Sequence, residues 1–205
     1  MGNQQTVMEE PYVSERVRER QEIDSDIRRK KHRRLLREIV LYVVLFTFCI
    51  YILPTFLLQK TFVEGPSMEN TLYNGDTLLV DKFTYRFLDP ERFDVIVFYP
   101  QNNHDSEYYV KRIIGLPGET VQIIGSTIYI NDEALEESYG KDAIQYAGLA
   151  SDPIILGEEE YFVLGDNRTV SLDSRYEEVG RVTKESIAGR PIFRVWPLDE
   201  FGPVH

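Results

Sequence analysis

The stretch YYVKRIIG, residues 108–115, combines aromatic and β-branched residues with two adjacent cations, Lys111 and Arg112. This composition is typical of a β-strand. Other short segments of the same kind follow one another at intervals of about 10 residues, separated by turn residues. These further predicted strands are residues 76–83, 93–99, 120–124, 127–131, 160–164 and 192–196. The pattern predicts a mainly β domain over residues 59–205.

Two features interrupt the predicted strands. Gly125 and Ser126, between two of them, predict a tight hairpin turn. Residues 132–158 are rich in acidic side chains and lack a strand pattern. We expect them to form a long acidic excursion from the sheet rather than a separate domain.

A long apolar run precedes the predicted sheet. Residues 39–58, IVLYVVLFTFCIYILPTFLL, form 20 positions without a charge, and residues 28–37 before them carry 7 Lys or Arg. A helix of this length rises about 30 Å, which matches the hydrocarbon core of a bilayer. A cleavable signal sequence is the alternative, but its polar amino-terminal region would be much shorter and an Ala-x-Ala site would follow.

Basic flanks stay on the cytoplasmic side of a membrane. We therefore expect residues 1–38 to form a cytoplasmic basic tail, with residues 1–27 flexible or weakly helical. Residues 39–58 would be an uncleaved transmembrane helix, and residues 59–205 an extracellular domain at the cell membrane. The chain would cross the membrane once.

Charge and cysteine content exclude several classes of function. Residues 1–38 carry 10 Lys or Arg against 8 Asp or Glu, whereas residues 59–205 carry 13 against 26. An acidic outer domain argues against a nucleic-acid partner. The single cysteine, Cys49, excludes an intramolecular disulfide and a paired-thiol metal site.

Ser67 lies in VEGPSMENTL, residues 63–72, after a Gly-Pro turn that would expose its hydroxyl. It could equally be an ordinary loop serine, because a serine hydroxyl is a weak nucleophile unless a neighbour accepts its proton. The chain has 3 histidines. His32 is in the basic flank, His104 is in a polar loop and His205 is the last residue. Lysine is the remaining candidate base.

Lys111 and Arg112 point to opposite faces of their strand, because side chains alternate along a strand. Only lysine can lose its proton, so we expect Lys111 to be buried and Arg112 to lie outside. To act near neutral pH, a lysine needs a pKa lowered from about 10.4 towards about 8, which costs on the order of 3 kcal/mol. The strand alone also allows both cations to lie at a solvated edge or to pair with carboxylates.

A polar loop follows the predicted strand 160–164. Residues 165–175, GDNRTVSLDSR, combine turn formers, hydroxyls and opposite charges, which predicts a tight, self-hydrogen-bonded loop. In an extended segment, Ser171, Asp173 and Arg175 would lie on one side. There the hydroxyl could orient a lysine, and the ion pair could hold the loop.

These stretches, in this order behind one apolar segment, resemble the successive motifs of type I signal peptidases, which are membrane-anchored Ser/Lys proteases. The resemblance rests on Ser67-Met68 with Thr71-Leu72, on KRIIGLPGE at residues 111–119, and on residues 165–175. It covers essentially the whole outer part, and the single anchor is similar to the Gram-positive branch. It implies an antiparallel-sheet catalytic domain and a serine endopeptidase that cleaves signal peptides after small residues, of the Ala-x-Ala type.

The resemblance also implies roles for individual residues. Ser67 would be the nucleophile and Lys111 the general base. Ser171, Asp173 and Arg175 would support the site. Met68, Leu72 and Tyr109 would bind the substrate. Ser171 would hydrogen-bond Lys111, and Asp173 would pair with Arg175. No cofactor or metal is implied. The implied partners are signal peptides of exported pre-proteins, the lipid bilayer and the secretion translocon, without nucleic acid.

Two positions depart from the family pattern. Asn70 replaces a proline, and Gly65 stands where some relatives carry a hydroxyl that helps to hold the oxyanion. The oxyanion would then rely on backbone amides, that of Ser67 first.

Two other functions compete with the peptidase. A self-cleaving Ser/Lys repressor would be soluble and would carry a DNA-binding part, against which the anchor and the acidic domain argue. A catalytically weak family member acting in pilus-type surface assembly is the other alternative. The presence of both Ser67 and Lys111 favours activity.

Overall fold

The computed structural model describes residues 10–52 and 57–205, and the chain divides into two compact units after Pro54. In the first unit, helix α1 spans Glu10–Thr47 and is followed by a π-helical turn, Phe48–Ile52. The described part of the predicted tail is therefore helical. Residues 1–9 and 53–56 lie outside the described residues.

Within the apolar segment 39–58, residues 39–47 lie in α1, residues 48–52 form the π-helical turn and residues 53–56 are not described, whereas Leu57 and Leu58 are. The large apolar side chains described between Ile39 and Tyr51 are 45% to 68% exposed. Among residues 10–52 and 57–205, no helix is both long and apolar enough to cross a membrane. Leu58, expected to end the anchor, begins strand β1 instead.

The second unit is mainly β, which confirms the predicted fold class. Between residues 57 and 205, short 3₁₀ helices are found at Thr84–Arg86, Pro100–Asn102, Gly148–Ser151, Lys184–Ser186 and Leu198–Glu200. The strands are β1 (Leu58–Phe62), β2 (Thr77–Asp81), β3 (Val95–Phe98), β4 (Tyr109–Gly115), β5 (Thr120–Ile124), β6 (Thr127–Ile130), β7 (Glu133–Ala134), β8 (Ile154–Ile155), β9 (Glu160–Leu164), β10 (Val182–Thr183), β11 (Ile187–Trp196) and β12 (Gly202–Pro203).

The strands form two antiparallel sheets. The larger sheet has the order β1-β2-β11-β3-β4-β9-β10, with β12 beside β11, and the smaller has the order β7-β6-β5-β8. Every segment predicted as a strand coincides with one. The predicted hairpin joins β5 to β6 at Gly125, whose φ of 63° favours glycine. The acidic segment 132–158 supplies β7 and β8 to the smaller sheet.

Strand β4 is covered on both faces. It lies between β3 and β9 in the larger sheet. On one face, Ile113 belongs to a buried apolar cluster with Phe98. On the other, Val110 packs against a cluster that contains Met68 and Leu72. The strand that carries both cations is therefore an interior strand.

The expectation that Arg112 lies outside is wrong. Lys111 is 4% exposed and Arg112 is 0% exposed. The expectation assumed an antiparallel sheet with one solvated face, whereas both faces of β4 are covered. A guanidinium can be buried here because a carboxylate and several acceptors surround it.

Arg112 holds several segments together. Its Nε and Nη2 donate to the two carboxylate oxygens of Asp166 at 2.9 and 2.8 Å. It also donates to the Phe93 carbonyl oxygen at 2.8 Å, to Thr71 Oγ1 at 3.0 Å and to the main-chain oxygen of His205 at 3.1 Å. The ring of Tyr139 lies 3.7 Å from its guanidinium carbon.

The variant Asp166→Leu should lose about 3–5 kcal/mol of the free energy of unfolding, because it leaves the Arg112 charge buried without a carboxylate. The measurement is urea denaturation followed by the fluorescence of Trp196, the one tryptophan of the chain. The double variant Arg112→Met/Asp166→Leu removes the unpaired charge and should be more stable than the single variant. A single variant within about 1 kcal/mol of the wild type would contradict the expectation.

Candidate active site

Ser67 lies in a closed loop between β1 and β2. The two ends of the loop are joined by a hydrogen bond, in which the Val63 N–H donates to the Asp76 carbonyl oxygen at 2.8 Å. Directly after Ser67, the Leu72 N–H donates to the Met68 carbonyl oxygen at 2.8 Å, which closes a single helical turn. This turn directs Met68 and Leu72 into the core and leaves Ser67 partly exposed.

Lys111 lies beside Ser67. Its Nζ is 2.9 Å from Ser67 Oγ and 2.9 Å from the Val110 carbonyl oxygen. Burial lowers the pKa of Lys111 to about 8, although the carboxylates of Asp173 and Asp166 act in the opposite direction. A substantial fraction of this amine is therefore neutral slightly above neutral pH. A neutral amine at hydrogen-bond distance from a hydroxyl can accept its proton.

The loop of residues 165–175 holds the main chain of Ser67. The Asn167 N–H donates to the Ser67 carbonyl oxygen at 3.0 Å. A Cβ added at Gly165 would lie 2.5 Å from that same oxygen and would also overlap Ser171. Only glycine allows this approach.

The ion pair within this loop is formed. Arg175 Nε donates to Asp173 Oδ1 at 2.8 Å, and the two side chains are 1% and 0% exposed. Asp173 Oδ2 accepts a hydrogen bond from the Gly165 N–H at 3.0 Å. The pair therefore fixes the backbone that lies against Ser67.

Ser171 is near the site but is not bonded to Lys111. Its Oγ is buried and has no hydrogen-bond partner in the described part of the chain. The Lys111 Nζ instead contacts Ser67 and Val110. The side chain of Ser171 packs against Gly165. A role for Ser171 in orienting Lys111 stays a prediction.

A cavity of about 550 Å³ opens beside Ser67 and Lys111. Met68 and Tyr109, which we predict to bind substrate, line it together with residues 59–64 and 107–110. Leu72 is not among its lining residues. It is 0% exposed and packs in the core behind Met68. Within the described chain, no group of three or more His, Cys, Asp or Glu side chains is arranged to hold a metal ion.

The two positions that depart from the family pattern, Gly65 and Asn70, both lie in the loop around Ser67. The Gly65 N–H donates to Asn74 Oδ1 at 2.9 Å, so this amide is already engaged. Asn70 has a φ of 101°, which proline cannot adopt, because its ring holds φ near about −65°. The turn after Ser67 therefore differs from one that a proline would build.

Comparison with known proteins identifies the family. Residues 35–196 match the family described as "Signal peptidase, peptidase S26". The chain belongs to this signal peptidase family. It is 38% identical over 156 residues to the probable signal peptidase I-2 of Synechocystis sp., covering 72% of this chain and 67% of the relative. It is 33% identical over 184 residues to signal peptidase IB of Staphylococcus aureus, covering 82% of this chain and 92% of the relative.

A solved structure is also similar to this signal peptidase family member. The crystal structure of a signal peptidase I from Enterococcus faecalis V583 is 36% identical to the chain, with a TM-score of 0.39, and covers 50% of this chain and 97% of the other. The family match and the two relatives compared by sequence confirm the resemblance seen in the sequence. The chain is a hydrolase of the signal peptidase I type.

Several polar residues contact the site although the sequence predicted no individual role for them. Asp166 and Asn167 stand in the motif at residues 165–175, and Thr71 stands in the one that contains Ser67. The motifs indicated only that these residues belong to stretches similar to those of signal peptidases. They did not indicate that Asp166 would pair with Arg112 or that Asn167 would hold the main chain of Ser67.

The lowered pKa of Lys111 predicts a pH dependence of stability. Below about pH 8 the folded and unfolded chains both bind this proton, and folding carries the full cost of burying the charge, roughly 3 kcal/mol. Between about pH 8 and the unfolded value near 10.5, the unfolded chain binds more protons. The contribution of Lys111 therefore raises the free energy of unfolding as the pH increases through this window.

Lys111→Met should be more stable than the wild type at pH 7 by up to about 3 kcal/mol, with the difference vanishing above about pH 10.5. Urea denaturation at both pH values measures this difference. Lys141→Met is the control, because exposed Lys141 has a raised pKa, mainly from its hydrogen bond to Glu69. It should not gain stability at pH 7. A Lys111→Met variant less stable than the wild type at pH 7 would contradict the expectation.

Proposed function

We propose that the chain is a membrane-anchored serine endopeptidase that removes signal peptides from exported pre-proteins, with Ser67 as nucleophile and Lys111 as general base. One observation carries the proposal: the Nζ of a buried lysine lies 2.9 Å from Ser67 Oγ beside an open cavity. Membership of the signal peptidase family supplies the substrate class.

The first half of the reaction is acylation. Neutral Lys111 accepts the hydroxyl proton as Ser67 Oγ attacks the carbonyl carbon of the scissile peptide bond. The carbonyl oxygen becomes negative, and the Ser67 backbone N–H is the expected donor to it. The C–N bond then breaks, Lys111 returns the proton to the departing amine, and an ester to Ser67 remains.

The second half is hydrolysis of that ester. Lys111, neutral again, accepts a proton from a water molecule whose oxygen attacks the ester carbonyl. The C–O bond to Ser67 breaks, Ser67 Oγ regains the proton, and the carboxylic acid leaves. Support for Lys111 as the base comes from its lowered pKa, because a base with a pKa near the working pH is most effective.

The cavity suggests how a pre-protein binds. Strand β1 stands at one end of the larger sheet, and residues 59–64 line the cavity. An extended peptide can add to such an edge by backbone hydrogen bonds, while pockets select alternate side chains. Met68 and Tyr109 would restrict the residue before the cleaved bond to small side chains, as in an Ala-x-Ala sequence, because a larger one would overlap their side chains.

The variants Ser67→Ala and Lys111→Ala should each lose at least about 1,000-fold in kcat, because the nucleophile and its base act as a unit. The assay measures cleavage of a fluorogenic Ala-x-Ala peptide and of a pre-protein by the full chain in detergent. Lys184→Ala removes a lysine away from the site and should keep wild-type activity.

The pH profile is an independent readout of the base. The kcat/KM of the wild type should rise with pH and level off above the pKa of Lys111, about 8, because only the neutral amine accepts the proton. Cleavage retained in Ser67→Ala or Lys111→Ala would contradict the proposed roles. A folded wild-type chain without any turnover would favour a role in surface assembly instead.

We also propose that residues 39–58 anchor the chain, with residues 1–38 in the cytoplasm and the peptidase domain outside. The run has 20 uncharged positions, and its described apolar side chains are exposed between Ile39 and Tyr51. A helix that is apolar all round is covered by protein or by lipid. The bilayer and the secretion translocon would then be partners.

The full chain should remain with the membrane when membranes are washed with alkaline carbonate. Val44→Lys places a charge within the apolar run, at a cost of about 2.5–3.5 kcal/mol near a helix centre, and should release part of the chain. Leu35→Lys makes the same change in the basic flank and should leave the chain in the membrane. Release of the wild-type chain by carbonate would contradict the anchor.

A further inference from the structure

A short piece of the acidic segment, residues 137–141, contacts the loop that carries Ser67. Asn70 in that loop has a φ of 101°, a region that residues other than glycine rarely adopt. Its Nδ2 donates to the Tyr139 carbonyl oxygen at 3.1 Å. Strained backbone persists only where the surrounding structure holds it. The carbonyl of Tyr139 is therefore part of what holds the turn after Ser67.

The same piece is fastened to the loop of residues 165–175. The Lys141 N–H donates to the Asp166 carbonyl oxygen at 2.8 Å. Glu137 pairs with Arg168 at 2.5 Å, and Arg168 Nε donates to the Gly165 carbonyl oxygen at 3.0 Å. Arg168 is 3% exposed, so this ion pair is largely shielded from solvent. Residues 137–141 therefore tie the loop of Ser67 to the loop that lies against it.

A third contact reaches the strand of Lys111. The ring of Tyr139 lies 3.7 Å from the guanidinium carbon of Arg112, the neighbour of Lys111 in β4. The ring also packs against that of Phe93, with centroids 5.1 Å apart. Tyr139 thus contacts the Ser67 loop through its carbonyl and the Lys111 strand through its ring.

We propose that Tyr139 and Asn70 are positioning residues, which set Ser67 Oγ relative to Lys111 Nζ. The proposal rests on the proposed function, in which these two atoms exchange a proton. Neither positioning residue touches them. Loss of either contact loosens one reacting group relative to the other, and a misplacement of about 1 Å can reduce a rate by about 100-fold. We expect kcat to fall and KM to stay unchanged, because substrate binding to the cavity does not involve these contacts.

The test compares matched variants of the full chain. Asn70→Asp keeps the side-chain size but cannot donate to the Tyr139 carbonyl, and Tyr139→Leu removes the ring over Arg112. Tyr139→Phe keeps the ring. Gln122→Ala is the control for Asn70, because Gln122 Nε2 also donates to a backbone carbonyl oxygen, that of Ser151, at 3.1 Å.

The readouts are kcat and KM for a fluorogenic Ala-x-Ala peptide, with the urea midpoint of each variant. Asn70→Asp and Tyr139→Leu should lose about 10- to 100-fold in kcat, with KM within about two-fold of the wild type. Tyr139→Phe and Gln122→Ala should stay within about two-fold of the wild type in both constants.

Several results would overturn the proposal. They are a wild-type kcat in folded Asn70→Asp and Tyr139→Leu, a rise in KM without a fall in kcat, or an equal loss in Tyr139→Phe and Tyr139→Leu. A lowered urea midpoint with unchanged kcat would assign the two residues to stability alone. A wild-type chain without turnover would overturn the proposed function and the positioning role together, whereas an active wild type with active variants would overturn only the latter.

Discussion

The buried ion pair between Arg112 and Asp166 is the constraint on which the catalytic domain depends. Both side chains are 0% exposed. The buried charge of Arg112 requires the carboxylate of Asp166, because breaking a buried ion pair leaves an uncompensated charge and destabilises the fold. The acceptors around Arg112 come from the Ser67 loop, from Phe93 just before β3, from Asp166 and from His205. Satisfying one guanidinium therefore brings these segments to the same place.

The position of Arg112 also determines the environment of Lys111. Adjacent residues in a strand face opposite sides, so an Arg112 buried on one face directs Lys111 to the other. Arg112 has a carboxylate in contact with it, whereas Lys111 contacts a hydroxyl and a carbonyl oxygen. Burial therefore lowers the pKa of Lys111, whereas the guanidinium of Arg112 lies against the carboxylate of Asp166. One interior strand thus carries both a structural cation and a candidate base.

Much of the fold was predictable because most strands are short runs of β-branched, aromatic and other apolar residues between turn residues. The strands that the pattern missed lack a recognisable strand pattern for physical reasons. β7, β8, β10 and β12 contain two residues each, too few for an alternation. The first half of β11 contains Gly189 and Pro191, which are rare in strands. Strand β1 follows the apolar run directly, and its first residue, Leu58, was assigned to that run.

By itself, the sequence determined the mainly β class, the family, and Ser67 and Lys111 as the candidate pair, because these depend on local composition and on motif order. Tertiary structure alone decided that both faces of β4 are covered, so that Arg112 is buried. It also decided that Leu72 packs in the core and that Ser171 lies against Gly165 without a bond to Lys111. Strand alternation assigns a side chain to a face, but only the packing of distant segments decides what covers that face.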